Sequence, residues 1–156
     1  MVESGRKWVI DMFMGQFNHN LEEKGRIIIP SKFRDKLEPT LVATKGFDGC
    51  IALYPNNEWE KFLTNLSKLP TNMMDARKHI RVLVGSASEC SFDKQGRINL
   101  PANLIKDAQI DKECVVVGNL EHIEIWSKDR WENYYNDASD NFEDVAEKLA
   151  SLDQGE

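Results

Sequence analysis

Leu21-Glu22-Glu23-Lys24-Gly25-Arg26-Ile27-Ile28-Ile29-Pro30 returns without a gap as Phe92-Asp93-Lys94-Gln95-Gly96-Arg97-Ile98-Asn99-Leu100-Pro101, so that Arg97 answers Arg26. Both copies set an apolar residue, an acid, two variable positions, Gly-Arg, an Ile, a further variable position, an aliphatic residue and a Pro. Each part has a physical reading. The glycine supplies the φ > 0 of a tight turn, and the β-branched run Ile27-Ile28-Ile29 supplies a strand after it. Pro30 cannot donate to a sheet but suits the first turn of a helix, so a short helix is expected over residues 31–37, with Pro39 as its stop.

Outward from this stretch the repeat extends in both directions. Residues 15–21 read as a strand leading into a hairpin at Lys24-Gly25, and 41–44 and 51–54 as two strands around a turn at 46–49. Asn56 is placed as an N-cap for a helix carrying Trp59, Phe62, Leu63, Leu66 and Leu69 at helical spacing. A second helix is expected over 73–84, with Met73, Ala76, Ile80 and Leu83 on one stripe. The second half then replays the first: Gly85 answers Gly15, Ile123-Glu124-Ile125-Trp126 answers Ile51-Ala52-Leu53-Tyr54, and Arg130-Trp131 answers Glu58-Trp59. A final amphipathic helix is expected over 140–152, opened by an Asp140/Glu143 capping box and striped by Phe142, Val145, Leu149 and Leu152.

Two such units are too few and too long for a solenoid, and each alone is too small a sheet to bury its apolar face. The two halves are therefore expected to interleave into one pseudo-symmetric, barrel-like α+β core with flanking helices. The division read from the pattern is an N-terminal extension at 1–11, repeat one at 16–58, connecting helices at 59–86, repeat two at 87–130 and an acidic helical tail at 131–156. Residues 1–11 match nothing in the second copy and are read as the product of an early start-codon assignment.

A chain of 156 residues, 41% hydrophobic and 29% charged, has the composition of a soluble globular protein. It has no apolar run of membrane-spanning length and no signal-peptide core. Cys50, Cys90 and Cys114 are odd in number and far apart, which reads as buried, reduced thiols of the cytoplasm. The net charge of −6 is concentrated at one end: from Glu132 onward there are eight acids and one lysine, leaving residues 1–131 at +1. The body is thus open to a nucleic-acid partner, and the acidic tail reads as a solvated helix face.

Nothing asks for catalysis or for a cofactor. No Walker loop, G-x-G-x-x-G or G-x-S-x-G occurs, and His19, His79, His122 and the cysteines form no short metal spacing. The repeated acid-x-x-x-Arg is the sharper feature. In one reading Glu22–Arg26 and Asp93–Arg97 are exposed structural ion pairs, which contribute little. In the other the turn presents the arginine to DNA while the carboxylate aims it, guanidinium being able to chelate guanine O6 and N7 or to bridge phosphates. Lys24, Arg26, Lys32, Arg34 and Lys36 crowd the first copy; the second has Gln95, Asn103 and Ile105 at three of those places and gains only Lys94. The first copy is thus the better equipped to read DNA, and the second is expected to serve partly as support.

These residues resemble the bacterial MraZ family of transcriptional regulators, built from two SpoVT-AbrB-like repeats. The resemblance rests on Met12-Phe13-Met14-Gly15, the two Gly-Arg stretches, Leu53-Tyr54-Pro55 with Glu58-Trp59, and Gly85-Ser86-Ala87-Ser88-Glu89-Cys90. It implies a swapped-hairpin, double-split β-barrel (AbrB-like) and ring-shaped homo-oligomers. It further implies binding to tandem direct repeats of double-stranded DNA upstream of the division and cell-wall operon, with nucleoid association. In the family an Asp-x-x-x-Arg motif is tied to DNA recognition. It falls here on Glu22–Arg26 and Asp93–Arg97, with Lys24, Lys32, Arg34 and Lys94 around it. Glu22 departs from the pattern by one methylene. The competing expectation is an oligomeric scaffold whose hairpins bind a protein, with DNA incidental; neither expectation involves a membrane or a small-molecule substrate.

Overall fold

A computed structural model describes residues 12–154, so the expectation for 1–11 lies outside the described residues. The first copy runs through β1 (Gln16–Asn20), β2 (Arg26–Ile28), α1 (Ser31–Leu37), β3 (Thr40–Lys45), β4 (Ile51–Pro55), α2 (Asn56–Ser67) and α3 (Met74–Gly85). The second repeats the order as β5 (Ser88–Ser91), β6 (Arg97–Asn99), α4 (Ala102–Asp107), β7 (Glu113–Asn119), β8 (His122–Ser127), α5 (Lys128–Asp140) and α6 (Phe142–Gln154).

The two copies are woven rather than stacked. Six strands form one antiparallel sheet in the order β1-β7-β8-β4-β3-β5, and β2 pairs with β6 in a separate two-stranded ribbon. Exchanging each strand for its counterpart turns that order into its own reverse. The register obeys the same symmetry: Ile51 faces Ile125 and Leu53 faces Ile123 on either side of the Ala52–Glu124 pair, while Ile27 faces Ile98 at the centre of the ribbon. β1 therefore completes the sheet half of the other copy, at β7, and β5 does the same at β3. The ladders leave β1 and β5 as edges rather than closing into a ring.

This corrects the expected hairpin. The strand before Lys24-Gly25 does not pair along the strand after it; the two meet only at a Glu22–Arg26 bridge before diverging to partners in the second copy. A three-residue strand cannot satisfy its backbone alone, and its equivalent in the other copy offers a matched edge. Ile27, Ile29, Phe33, Leu37, Leu41, Ile51, Leu53, Ile98, Leu104, Val116, Ile123 and Ile125 fill the space between ribbon and sheet and are fully buried.

Pro30 and Pro101 stand at the N-caps of α1 and α4, as their missing N–H allows. The expected caps at Asn56 and Asp140 are not formed. Pro55 occupies the N-cap of α2, and the Asn56 amide donates instead to Thr40 O and Oγ1. Asp140 closes α5 and a single residue, Asn141, separates it from α6, so the acidic region is two helices rather than one. The expected stripe of α3 is also narrower than its spacing suggests, since Leu83 is its buried member while Met73 is exposed. Thr44 anchors α3 to β3 by donating to Leu83 O at 2.6 Å, with Ser86 Oγ 3.2 Å away.

On the far side of the sheet, Tyr54, Trp59 and Phe62 pack together and onto His122, and Trp126, Trp131 and Tyr134 form the equivalent cluster. Trp126 and Leu66 are buried, whereas Trp59, Phe62 and Trp131 are half-buried. Glu124 sits between the clusters. Burial opposes its ionisation, but hydrogen bonds from His122, Trp126 and Asn119 outweigh it and hold the carboxyl below its usual range. The three cysteines are free and buried, and burial pushes Cys90 and Cys114 up to about 11. Such thiols are poor nucleophiles.

Candidate nucleic-acid interface

The β2–β6 ribbon brings the two Gly-Arg turns to one place. Leu100 N donates to Gly25 O at 2.9 Å and Ile29 N to Gly96 O at 3.1 Å, so each copy's strand exit is tied to the other's glycine. Each short helix then covers the opposite turn. Ile105 Cδ1 of α4 lies 2.9 Å from where a Cβ on Gly25 would stand, and the Arg34 guanidinium of α1 occupies the equivalent space over Gly96. With φ of +74° at Gly25 and +80° at Gly96, glycine is required at both positions for conformation and for room.

The turns differ inside. In the second, Asp93 Oδ1 accepts from the backbone N–H of Gln95 and of Arg97, both at 2.9 Å, and Oδ2 accepts from Arg97 Nε at 2.8 Å. The Arg97 backbone N–H is the chief influence holding the Asp93 carboxyl below its ordinary range. Desolvation works the other way, and the Arg97 guanidinium and Gln95 N–H add to the lowering. In the first turn the acid is Glu22, one methylene longer, and it makes no such cap. The chain turns instead through Lys24 in the left-handed region at φ +64°, followed by Gly25. Glu22 reaches across to accept from Arg97 Nη1 at 2.9 Å. The expected Glu22–Arg26 ion pair is thus replaced by one that crosses between copies. Arg97 is clamped by two acids, and its guanidinium keeps its proton more firmly than usual because of Asp93 first and Glu22 second. Arg26 has no ion pair or side-chain hydrogen bond among the described residues.

Side chains directly opposite on antiparallel strands share a face, and faces alternate along a strand. Ile27 and Ile98 take the buried face of the ribbon. The outer face therefore carries the cross-strand pairs Arg26/Asn99 and Arg97/Ile28. Lys24 and Lys94 stand exposed in the two turns. Lys32 is exposed on α1 with its ammonium 5.9 Å from the centre of the Phe17 ring. Lys36 donates to Met12 O at 3.2 Å and lies over Phe13. Arg34 is half-buried over Gly96, with Nε enclosed and without a partner among the described residues, so its position is that of a turn cover rather than of a solvated helix face. Asn99 and Ile28 are the ribbon residues that reading the motif alone passes over, because they fall at its variable position. Only the register reveals that they flank the arginines.

The architecture is that of a tandem-repeat α+β protein whose interwoven copies expose a short antiparallel ribbon carrying two arginines. The family model described as "MraZ protein, putative antitoxin-like" matches twice, at residues 12–82 and 83–153, so that the boundary between the two matches falls in the last turn of α3. Proteins named transcriptional regulator MraZ are close in sequence. That of Pediococcus pentosaceus is 49% identical over 138 residues, 88% of this chain and 96% of the relative. That of Ligilactobacillus salivarius is 46% identical over 142 residues, 91% of this chain and 99% of the relative. The Lactobacillus gasseri protein is 47% identical over the same shares. The chain belongs to the MraZ family.

Proposed function

We propose that this chain is a sequence-specific, double-stranded-DNA-binding transcriptional regulator that works through the β2–β6 ribbon and is not an enzyme. The observation that carries the reading is the outer face of that ribbon, where Arg26 stands without an acid among the described residues, beside an Arg97 held at fixed direction by two. A two-stranded ribbon fits the major groove of B-DNA, and an arginine at its surface can take guanine O6 and N7 together. Lys24, Lys94 and Lys32 would contact phosphates and set the register; Arg34 would act mainly through the turn it covers. The names borne by the relatives support a regulatory role, exercised in the cytoplasm on the nucleoid.

The exchanged edges, with β1 on β7 and β5 on β3, support assigning the core as a swapped-hairpin, double-split barrel with repeats at 16–58 and 87–130. We assign tandem direct repeats upstream of the division and cell-wall operon as the target, gripped by a ring-shaped homo-oligomer that engages several sites at once. Two apolar surfaces that are exposed among the described residues support self-association. Phe142, Val145, Leu149 and Leu152 are exposed on α6, which has four acids and one lysine. Phe47, Val82 and Val84 are exposed at or beside α3, which has three bases and one acid. Apolar patches of opposite charge on one chain favour head-to-tail contact, which closes into a ring when the rotation permits. Light scattering should return a multiple of the monomer mass; a monomer at working concentration would remove the ring from this account.

The direct test is a gel shift on the chain's own upstream DNA. Arg26→Ala should cost about 1–3 kcal/mol per engaged site and relax base preference. A protein-binding scaffold with incidental DNA affinity would show the same weak retardation for wild type and variant, on any DNA sequence.

A further inference from the structure

The ribbon is close to two-fold symmetric in backbone and asymmetric in side chains. The counterpart of Asn99 in the first copy is Ile28, so one end of the outer face presents Arg26 with Asn99 and the other presents Arg97 with Ile28. Asn99 is exposed, its Oδ1 lies 3.4 Å from where a Cβ on Gly25 would stand, and it has no side-chain hydrogen bond among the described residues. Its amide is therefore not used to hold the ribbon together. Ile28 is half-buried, with no polar group to offer a base.

Resting on the DNA-binding reading above, we infer that Asn99 and Ile28 give the ribbon its polarity. Asn99 reads an A·T pair next to the G·C pair taken by Arg26, while Ile28 makes apolar contact beside the G·C pair taken by Arg97. An asparagine amide matches adenine N6 and N7 as a donor and acceptor, and an apolar side chain matches the thymine methyl. The two cross-strand pairs lie two residues apart along each strand, roughly 6–7 Å, which is about two base-pair rises of 3.4 Å. A ribbon with identical ends would favour a palindrome. With Asn99 at one end and Ile28 at the other, a subunit reads its site in one direction, and a row of like-oriented subunits then demands direct rather than inverted repeats.

Selection from randomised double-stranded DNA, followed by competition binding with the full-length chain, tests this with wild type, Asn99→Ile and Ile28→Asn. Wild type should select a directional site with an A·T pair adjoining a G·C pair. Asn99→Ile should lose preference for that A·T pair by on the order of 5- to 150-fold, with an unchanged circular dichroism spectrum. Ile28→Asn should shift selection toward a palindrome that has the A·T pair at both ends. If both variants select the wild-type site, Asn99 and Ile28 are not the determinants, although the DNA-binding reading stands. If wild type itself selects no preferred sequence, that reading fails and this inference falls with it.

Discussion

The turn that carries Arg26 and the turn that carries Arg97 share a glycine, a following strand and a covering helix from the opposite copy, yet they treat their arginines in contrary ways. Asp93 is short enough to cap two backbone N–H groups and still grip Arg97 Nε. Glu22, one methylene longer, is displaced from that role and spends its carboxylate on Arg97 as well. A duplicated motif thus has one arginine held by two acids and one with none among the described residues, and the two motif acids differ by a single methylene. The same division appears in the covers, where Ile105 packs over Gly25 as an apolar lid and Arg34 lies over Gly96 with an enclosed Nε that has no partner among the described residues.

Making the first turn like the second is the strongest way to break this contrast without touching either arginine. Glu22→Asp should recreate the cap on the backbone N–H groups of Lys24 and Arg26, draw Arg26 onto its own turn and release Arg97 Nη1. DNA affinity should fall by less than the ~1–3 kcal/mol of a lost base contact. Arginine side-chain NMR should show Arg26 Nε newly protected; an unchanged Arg26 signal would show that the methylene is not what separates the turns.

Acid sharpens the same contrast with a smaller effect. The Asp93 carboxyl sits below its ordinary range in the folded chain. A depressed pKa means that its contribution is fully present above the usual aspartate range and is lost as pH falls through the lowered value. Near neutral pH the second turn should therefore be insensitive. In strong acid the amides of Gln95 and Arg97, which donate to Asp93 Oδ1, should lose protection before the Leu100 amide, which donates to Gly25 O in the first turn. Simultaneous loss in both turns would contradict the assignment.

What could be read from the chain and what could not divides along sequence distance. The repeat, the short helices after Pro30 and Pro101, and the strands at 41–44, 51–54 and 123–126 depend on near neighbours, and they stand within a residue or two of where the pattern puts them. The Gly-Arg stretch was equally readable as a turn, but the partner of its strand was not. A three-residue strand carries too little pattern to say whether it pairs with its neighbour or with its duplicate. Glu22 presents the same difficulty in the site, since its nearest arginine in sequence is Arg26 and its partner is Arg97. Lys24 adopts a left-handed conformation in the turn where Glu22 makes no cap, a difference from the Asp93 turn visible only when the copies are compared atom by atom. Asn56 and Asp140 are good cap residues by type, but Pro55 and the end of α5 occupy their places.

The claim at the centre of this account is that the free arginine of the first turn reads DNA. Its most direct test is binding of Arg26→Ala and wild type, side by side, to the upstream DNA and to a scrambled control by gel shift, with circular dichroism to verify the fold. The account predicts an unchanged fold, an affinity loss of about 1–3 kcal/mol per engaged site and a narrowed gap between the two DNAs. Wild-type affinity and wild-type discrimination in Arg26→Ala would contradict it.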